Sequence, residues 1–469
     1  MNEPIALVFD DRSYSRTRLD ALARGLAATL RERGVRRGDR VALMSGNRPE
    51  FVVAVRAIWQ LGASVVLISP AWKRAETEHA LILTQPAAAV GDQPVLAELM
   101  PMLSLDEPII PVVCPDTVPE PEAEAVLVFS SGTTGLPKAV RHTHASFAAA
   151  VEHWRVALAL TAADRIQVLT PPSHILGLLN IETALAVGAR IRLHRRFDLD
   201  RMLKCIAEDG ITVEMAVAPI ALALAQHPDL ESYDLSSLRY IMWGATPVTA
   251  GIAETVTRRT GVGWVPAYGA SELPVIACNP IEGARLDSVG RAVPGVRVRV
   301  IDLDTGEPLP PNGIGEIQLR SPSLMSGYLP DDANADAFDD GWYRTGDVGS
   351  VDAEGWIRLT DRSKEMIKVK GFQVAPAEIE GVLLSHPGVV DAAVFGIPDE
   401  ADGEAIVAAV AVSAVAPPTE EQLRTLVADR LAGYKRLRRV LFVPEIPRLP
   451  SGKVLRRVLK EQYGRSTDQ

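Results

Sequence analysis

The stretch "VLVFSSGTTGLPKAV" at 126–140 sets two serines, two threonines, two glycines and one lysine between Ser130 and Lys138, behind an apolar run. Gly132 and Gly135 free backbone N–H groups to converge, four hydroxyls can donate, and Lys138 adds a compact cation. These are the donors that diphosphate oxygens require. The same composition equally describes a plain connecting loop. No adjacent Gly-Lys-Ser/Thr follows the glycines and no GxGxxG occurs, so the common phosphate-loop and dinucleotide folds are disfavoured. The lysines add a second signal: the chain holds 40 Arg and only nine Lys, so a retained Lys points to a need for an ammonium. Six of the nine, Lys138, Lys364, Lys368, Lys370, Lys435 and Lys453, fall in stretches that look functional on other grounds.

The elements around them alternate in type. "SRTRLDALARGLAATLRERG" places Leu19, Leu22, Leu26 and Leu30 on one helical face and stops at Gly34. "DRVALMS" reads as a buried strand, "RPEFVVAVRAIWQLGA" as a helix opened by Pro49 and closed by Gly62, and "SVVLISP" as another strand. Similar units recur in "RIQVLTPP", "ARIRLH" and "SLRYIMWG", whose strand ends open onto a crevice. This alternation predicts an α/β fold with mostly parallel sheets in a large N-terminal domain of several subdomains. Around 285–360 the pattern turns β-rich. A compact α+β pattern then follows: helix 376–385, strands near 390–397 and 405–413, helix 419–432 and a strand near 439–443. The expected division is 1–361 and 362–469, with a hinge near 364 and no Gly/Ser tether.

At 469 residues the chain has room for two or three cooperating units. A net charge of -10 argues against general affinity for nucleic acid or anionic membranes, so any polyanion must be met locally. Cys114, Cys205 and Cys278 form neither a CxxC pair nor a disulfide framework. The longest apolar run, Ala405 to Val412, is far short of a membrane span, and the expected location is cytoplasmic.

"SSGTTGLPK" resembles the signature of the adenylate-forming superfamily: acyl- and aryl-CoA synthetases, luciferases and peptide-synthetase adenylation domains. Further pieces follow in that family's order: "PPSH" with Gly177, "WGATP" at 243–247, "YGASE" at 268–272, "GEIQLR" at 315–320, "WYRTGD" at 342–347, "DRSKEMIKVKGFQVAPAEIE" at 361–380 and "PSGK" at 450–453. The resemblance runs from about residue 5 to residue 460, and the C-terminal third looks most like 4-coumarate:CoA ligases and their acyl-CoA relatives.

The resemblance implies ATP, Mg²⁺ and CoA as partners, and a two-step reaction. A carboxylate attacks the α-phosphorus of ATP to give an acyl-AMP and pyrophosphate, and a thiol then displaces AMP. Two anions meet in the first step, so the site needs cations. By resemblance, Ser130, Ser131, Gly132, Thr133, Thr134, Gly135 and Lys138 hold the β- and γ-phosphates, and Glu272 helps bind Mg²⁺. Tyr268 stacks on adenine beside Gly244, Ala245 and Gly269. Ser271, where the family usually has Thr, keeps a hydroxyl for the α-phosphate. Asp347 and Arg362 bind the ribose hydroxyls, and Lys453 bridges the carboxylate and the α-phosphate. His174 stands where the family places a histidine at the mouth of the acyl pocket. His142 and His144 lack further ligands, so no metal site is expected there.

In the C-terminal part the family turns a small domain about a hinge, and Lys364 occupies that position. Lys368, Gly371 and Gln373 match residues that serve thioester formation or contact nucleotide and substrate. "GYKRLRRV" at 433–440, with Tyr434, Lys435 and Arg436, offers a basic patch for the phosphates of CoA. The implied activity is an ATP-dependent carboxylate-CoA ligase. Its rivals are an acyl-AMP ligase that loads a carrier-protein phosphopantetheine and a non-catalytic nucleotide- or acyl-binding protein, with luciferase-type oxidation more distant. His174, Ile175, Leu176 and residues around Trp243 to Thr246 are expected to line an apolar acyl pocket suited to an aliphatic or plain aryl acid. Ala139 replaces a usual Gly after the loop lysine.

Overall fold

The computed structural model describes residues 3–113, 118–130, 137–245, 248, 250–362, 365–369, 372–399, 403–413, 417–448 and 454–463, with backbone only at 361, 362, 372, 373 and 403. The helices predicted at the start form as Arg16–Glu32 and Pro49–Gln60. Ser15 caps the first by accepting from the Arg18 N–H, and Pro49 opens the second, where its missing N–H costs nothing. Gly34 and Gly62 follow them with φ of 97° and 67°, the left-handed conformation that ends a helix most cheaply on glycine.

Two sheets build the part of the chain that leads to the site. One has seven strands, with Met102–Ser104, Ala88–Gly91, Arg40–Met44, Ser64–Leu67 and Glu124–Ser130 parallel, followed by the antiparallel Lys138–Thr143 and Gly327–Leu329. The other has nine. Its centre is a parallel run of Trp264–Tyr268, Tyr240–Trp243, Val213–Ala216, Arg165–Val168, Arg190–Leu193 and Ile5–Phe9. A large apolar core lies between these sheets and their helices, holding Leu43, Phe51, Ile58, Val126, Ile166 and Met242 among others. The β-rich stretch forms an antiparallel sheet in which Trp342–Val351 pairs with Gly315–Arg320 and with Ile357–Arg362.

The C-terminal sheet begins at Ile367–Val369 and contains Val389–Asp399, Gly403–Val412 and Arg439–Phe442, with helices Pro376–Leu384 and Glu420–Arg430 packed over it. These elements fall within two or three residues of the ranges expected from periodicity. Among the described residues, no helix is long and apolar enough to cross a membrane.

On the far face of the nine-stranded sheet lies a buried polar group that the pattern alone did not single out. Glu214, fully buried in Val213–Ala216, accepts from the Gln167 side-chain amide. The Gln167 carbonyl in turn accepts from His194 Nε2 at 2.7 Å, and Glu214 Oε1 has no partner. Burial pushes the Glu214 carboxyl up to about 8 and the His194 imidazole down to about 4, so both are neutral near pH 7.

The signs of the two shifts separate their windows. A histidine with a lowered folded pKa removes stability only as pH falls below its unfolded value of about 6.5. A carboxyl with a raised folded pKa removes stability as pH rises from about 4.3 toward the folded value. Between pH 6.5 and 8 the glutamate acts without the histidine. The protein is expected to lose ~1.4 kcal/mol per pH unit there, and Glu214→Gln to show none of that slope. Urea midpoints at pH 6.5 and 8 measure it.

Candidate functional site

Lys138 opens the strand Lys138–Thr143 directly opposite Ser130, so this hairpin brings the two ends of the glycine-rich loop together. Ser131, Gly132, Thr133, Thr134 and Gly135 lie outside the described residues. His79 Nε2, on helix Arg74–Thr84, meets the Pro137 carbonyl at 2.9 Å and fixes the exit of the loop. The Lys138 ammonium sits 5.3 Å from the centre of the Tyr328 ring. Ala139 needs no glycine: it is fully buried in ordinary strand, paired with Phe129 on one side and Leu329 on the other.

Tyr268 ends the parallel strand Trp264–Tyr268, at the carboxyl edge where α/β sheets bind ligands. The chain turns sharply after it, with Ala270 N–H donating to the Leu273 carbonyl at 3.0 Å. A Cβ on Gly269 would lie 2.1 Å from the Pro274 carbonyl oxygen, so the turn tolerates no side chain there. Glu272 is buried, and the Tyr328 hydroxyl donates to its Oε1 at 2.9 Å. The Tyr343 hydroxyl lies 3.2 Å from that of Tyr328, and burial raises the Tyr343 phenol well above its ordinary value.

Asp347 arrives from the antiparallel sheet. The Tyr268 hydroxyl donates to its Oδ2, and its own N–H donates to Thr345 Oγ1 at 2.9 Å. Asp347 and Arg362 are direct cross-strand partners, which places the expected ribose pair side by side in backbone register. The Arg362 side chain is not described. Tyr328 thus joins Lys138 to Glu272, the Tyr268 hydroxyl joins Tyr268 to Asp347, and the turn 268–272 joins the two pairs, bringing together side chains from three sheets and a turn.

Gly244 and Ala245 follow the strand Tyr240–Trp243, and Ala245 holds φ at 66°. Ser271 is half-buried in the turn after Tyr268. His174 is exposed at the start of helix Ile175–Val187, with Ile175 and Leu176 half-buried behind it. Gly177 lets that helix approach the preceding prolines, because a Cβ there would lie 2.3 Å from the Pro171 carbonyl oxygen. The Trp243 indole differs from expectation: it is fully buried against Trp264 at 5.0 Å in the core behind the sheet, and so does not line a pocket. Strand alternation sends successive side chains to opposite faces, and Trp243 falls on the helix-covered one. Thr246 and Pro247 lie outside the described residues.

In the C-terminal part Lys368 is exposed, stands opposite Gln373 in a two-stranded turn, and donates its backbone N–H to Glu404 Oε2 at 2.7 Å. Lys364, Gly371 and Lys453 lie outside the described residues, as does the Gln373 side chain. The chain on either side of 449–453 is firmly held. Arg448 pairs with Asp391 at 2.7 Å and bridges Val454 in antiparallel register. Arg456 pairs with Glu380 at 2.7 Å and with Glu365, and donates to the Val394 carbonyl at 3.0 Å. The 433–440 patch carries less free charge than its sequence suggests. Lys435 pairs with Glu378 at 2.5 Å beneath Tyr434, and Arg438 pairs with Asp399 at 2.7 Å, while Arg436 is exposed.

Among the described residues, no group of three or more His, Cys, Asp or Glu side chains could hold a metal ion alone. Mg²⁺ at a phosphate site needs only one or two carboxylates, because waters and substrate phosphates complete its shell. Glu272, whose Oε2 receives no hydrogen bond from a described residue, fits that requirement.

The chain belongs to the AMP-binding enzyme family, whose pattern matches residues 2–329, with the AMP-binding enzyme C-terminal domain matching 378–453. It is 34% identical to 4-coumarate-CoA ligase 1 of Solanum tuberosum over 96% of this chain and 89% of that one. Among solved structures, ATP-bound MatB from Rhodopseudomonas palustris superposes with a TM-score of 0.93 at 28% identity, covering 98% of this chain and 96% of that one. The amide bond synthetase McbA from Marinactinospora thermotolerans does so with a TM-score of 0.92 at 32% identity, covering 98% and 97%.

Proposed function

We propose that the protein is an ATP-dependent carboxylate-CoA ligase, which forms an acyl-AMP with release of pyrophosphate and then passes the acyl group to the thiol of CoA. The observation that carries this reading is the linkage of Lys138 to Glu272 through Tyr328 and of Tyr268 to Asp347 through the Tyr268 hydroxyl, with the turn 268–272 joining the two pairs. Residues 130–138 orient the pyrophosphate leaving group, Tyr268 with Gly244, Ala245 and Gly269 receives adenine, and Asp347 with Arg362 takes the ribose. Ser271 meets the α-phosphate and Glu272 holds Mg²⁺, which neutralises charge on the phosphate oxygens. Lys453 bridges the two reacting anions in the first step. Lys368, Gly371 and Gln373 serve the second, with Tyr434 and Arg436 toward CoA. The chain divides into 1–361 and 362–469, and Lys364 is the hinge.

Asp347→Ala removes a buried carboxylate and the hydrogen bond it accepts from the Tyr268 hydroxyl, so ATP affinity is expected to fall ~10-fold or more, as calorimetric titration would report. The half-buried, apolar Ile175 and Leu176 beside His174 support an aliphatic or plain aryl acid as substrate. ATP-dependent pyrophosphate release, measured over straight-chain fatty acids, benzoate and 4-coumarate with and without CoA, tests the whole reading. Acid-dependent release with thioester formation supports it. Absence of release with every acid overturns it.

The similarity to an amide bond synthetase supports a second reading, in which an amine takes the acyl group from the same acyl-AMP. Hydrolysis-free product formation with ammonia or a primary amine, and none with CoA, would favour that reading. Loading of a holo carrier protein without turnover of free CoA would favour the carrier-protein alternative.

A further inference from the structure

We infer that His142 is a positioning residue for adenylation: its imidazole fixes the Ser271–Glu272 peptide at a set place relative to Lys138. The inference rests on the proposed nucleotide site. Lys138 and His142 lie four residues apart on one strand, so both point to the same face of the seven-stranded sheet. The Lys138 ammonium lies over the Tyr328 ring, and His142 reaches across to the turn that follows strand Trp264–Tyr268 of the other sheet. Its Nε2 lies 2.7 Å from the Ser271 carbonyl oxygen, 129 residues away in the chain.

A carbonyl can only accept, so Nε2 carries the hydrogen, and Nδ1 faces Ser146 Oγ at 3.4 Å. The ring is fully buried, which makes it neutral and locks this arrangement. Two more contacts from the same side hold the next residue: Met325 N–H donates to the Glu272 carbonyl at 2.8 Å, and the Tyr328 hydroxyl donates to Glu272 Oε1 at 2.9 Å. Arg141, next to His142, holds that flank in turn, since its carbonyl accepts from Ser326 N–H at 2.8 Å. Of the described contacts, His142 supplies the hydrogen bond that ties Ser271 to the strand of Lys138. Losing it leaves a carbonyl without its donor at the α-phosphate end of the site and frees the 268–272 turn to shift.

The test compares His142→Gln, whose amide nitrogen can still donate, with His142→Met, which has similar bulk and no donor. MgATP binding is read by isothermal titration calorimetry, which does not depend on knowing the acid, and thermal midpoints are recorded for each variant. His142→Met is expected to weaken MgATP binding ~10-fold or more, and His142→Gln to stay within about threefold of the parent. If His142→Met does not fold, His142→Phe carries the same comparison. Parent-like binding by the donorless variant overturns the inference, as does equal damage from glutamine. So does a donorless chain that never folds while His142→Gln folds, because the bond then serves folding alone. Lys138→Ala separates the two levels of argument. Parent-like MgATP binding by Lys138→Ala overturns the phosphate site and this inference with it, whereas weak binding there beside parent-like His142→Met overturns the inference only.

Discussion

Lys453→Ala is expected to lower acid-dependent pyrophosphate release ~100–1000-fold or more, while supplied acyl-AMP and CoA still yield thioester at close to the parent rate. The first step brings a carboxylate against a triphosphate, and the charge that develops in the transition state needs a cation placed for it. Loss of one such donor in other enzymes typically costs this much. The second step starts from a mixed anhydride already made, so the same cation contributes little there. Lys368→Ala is expected to show the reverse pattern, with pyrophosphate release nearly intact and thioester formation impaired. Lys368 is exposed on the C-terminal sheet opposite Gln373, in a different strand from the chain that bears Lys453. Equal damage to both half-reactions in both variants would refute the division of labour.

Asp209→Ala is expected to destabilise the fold by ~3–5 kcal/mol. Asp209 ends helix Leu199–Asp209, where a carboxylate opposes the helix dipole and needs a partner. It has two. Arg192 approaches it through two nitrogens at 2.5 and 2.9 Å, and Arg190 through one at 2.8 Å. Arg192 and Asp209 are both nearly excluded from water, at 11% and 7% side-chain exposure. Truncation leaves the Arg192 guanidinium buried with the Asp10 carbonyl, 2.9 Å away, as its remaining contact. The comparison is Asp287→Ala, which also removes pairs to two arginines, Arg285 and Arg358, but from a carboxylate that is 60% exposed, and which should change stability by less than ~1 kcal/mol. Urea midpoints of the two variants measure the contrast.

Much of this architecture is legible in local sequence. The helix of Leu19, Leu22, Leu26 and Leu30, the Pro49 start and the glycine stops each follow from short-range chemistry, and the structure keeps them. The segments that meet at the site were legible as motifs, because each carries its residues within a few positions. What joins the segments was not. His142 looked like half of an unsupported metal pair, and its partner Ser271 gave no local hint of the bond. Tyr328 and Glu272 are likewise 56 residues apart. Trp243 was misplaced for a related reason: one residue of strand phase decides between pocket and core. Glu214 did leave a signal, a single carboxylate inside the apolar strand "ITVEMAVAP", and an acid in a strand covered on both faces must be neutral or paired.

The anchoring of Arg448 and Arg456 to the same strand, Val389–Asp399, bears on how the enzyme keeps time. Both flanks of 449–453 are fastened to one sheet, so on the proposed hinge reading Lys453 would be carried by the whole C-terminal lobe. Its arrival at the nucleotide would then be a swing of a body against solvent drag. If that swing limits the rate, a thicker medium is expected to slow turnover in proportion while leaving equilibrium affinity for ATP untouched.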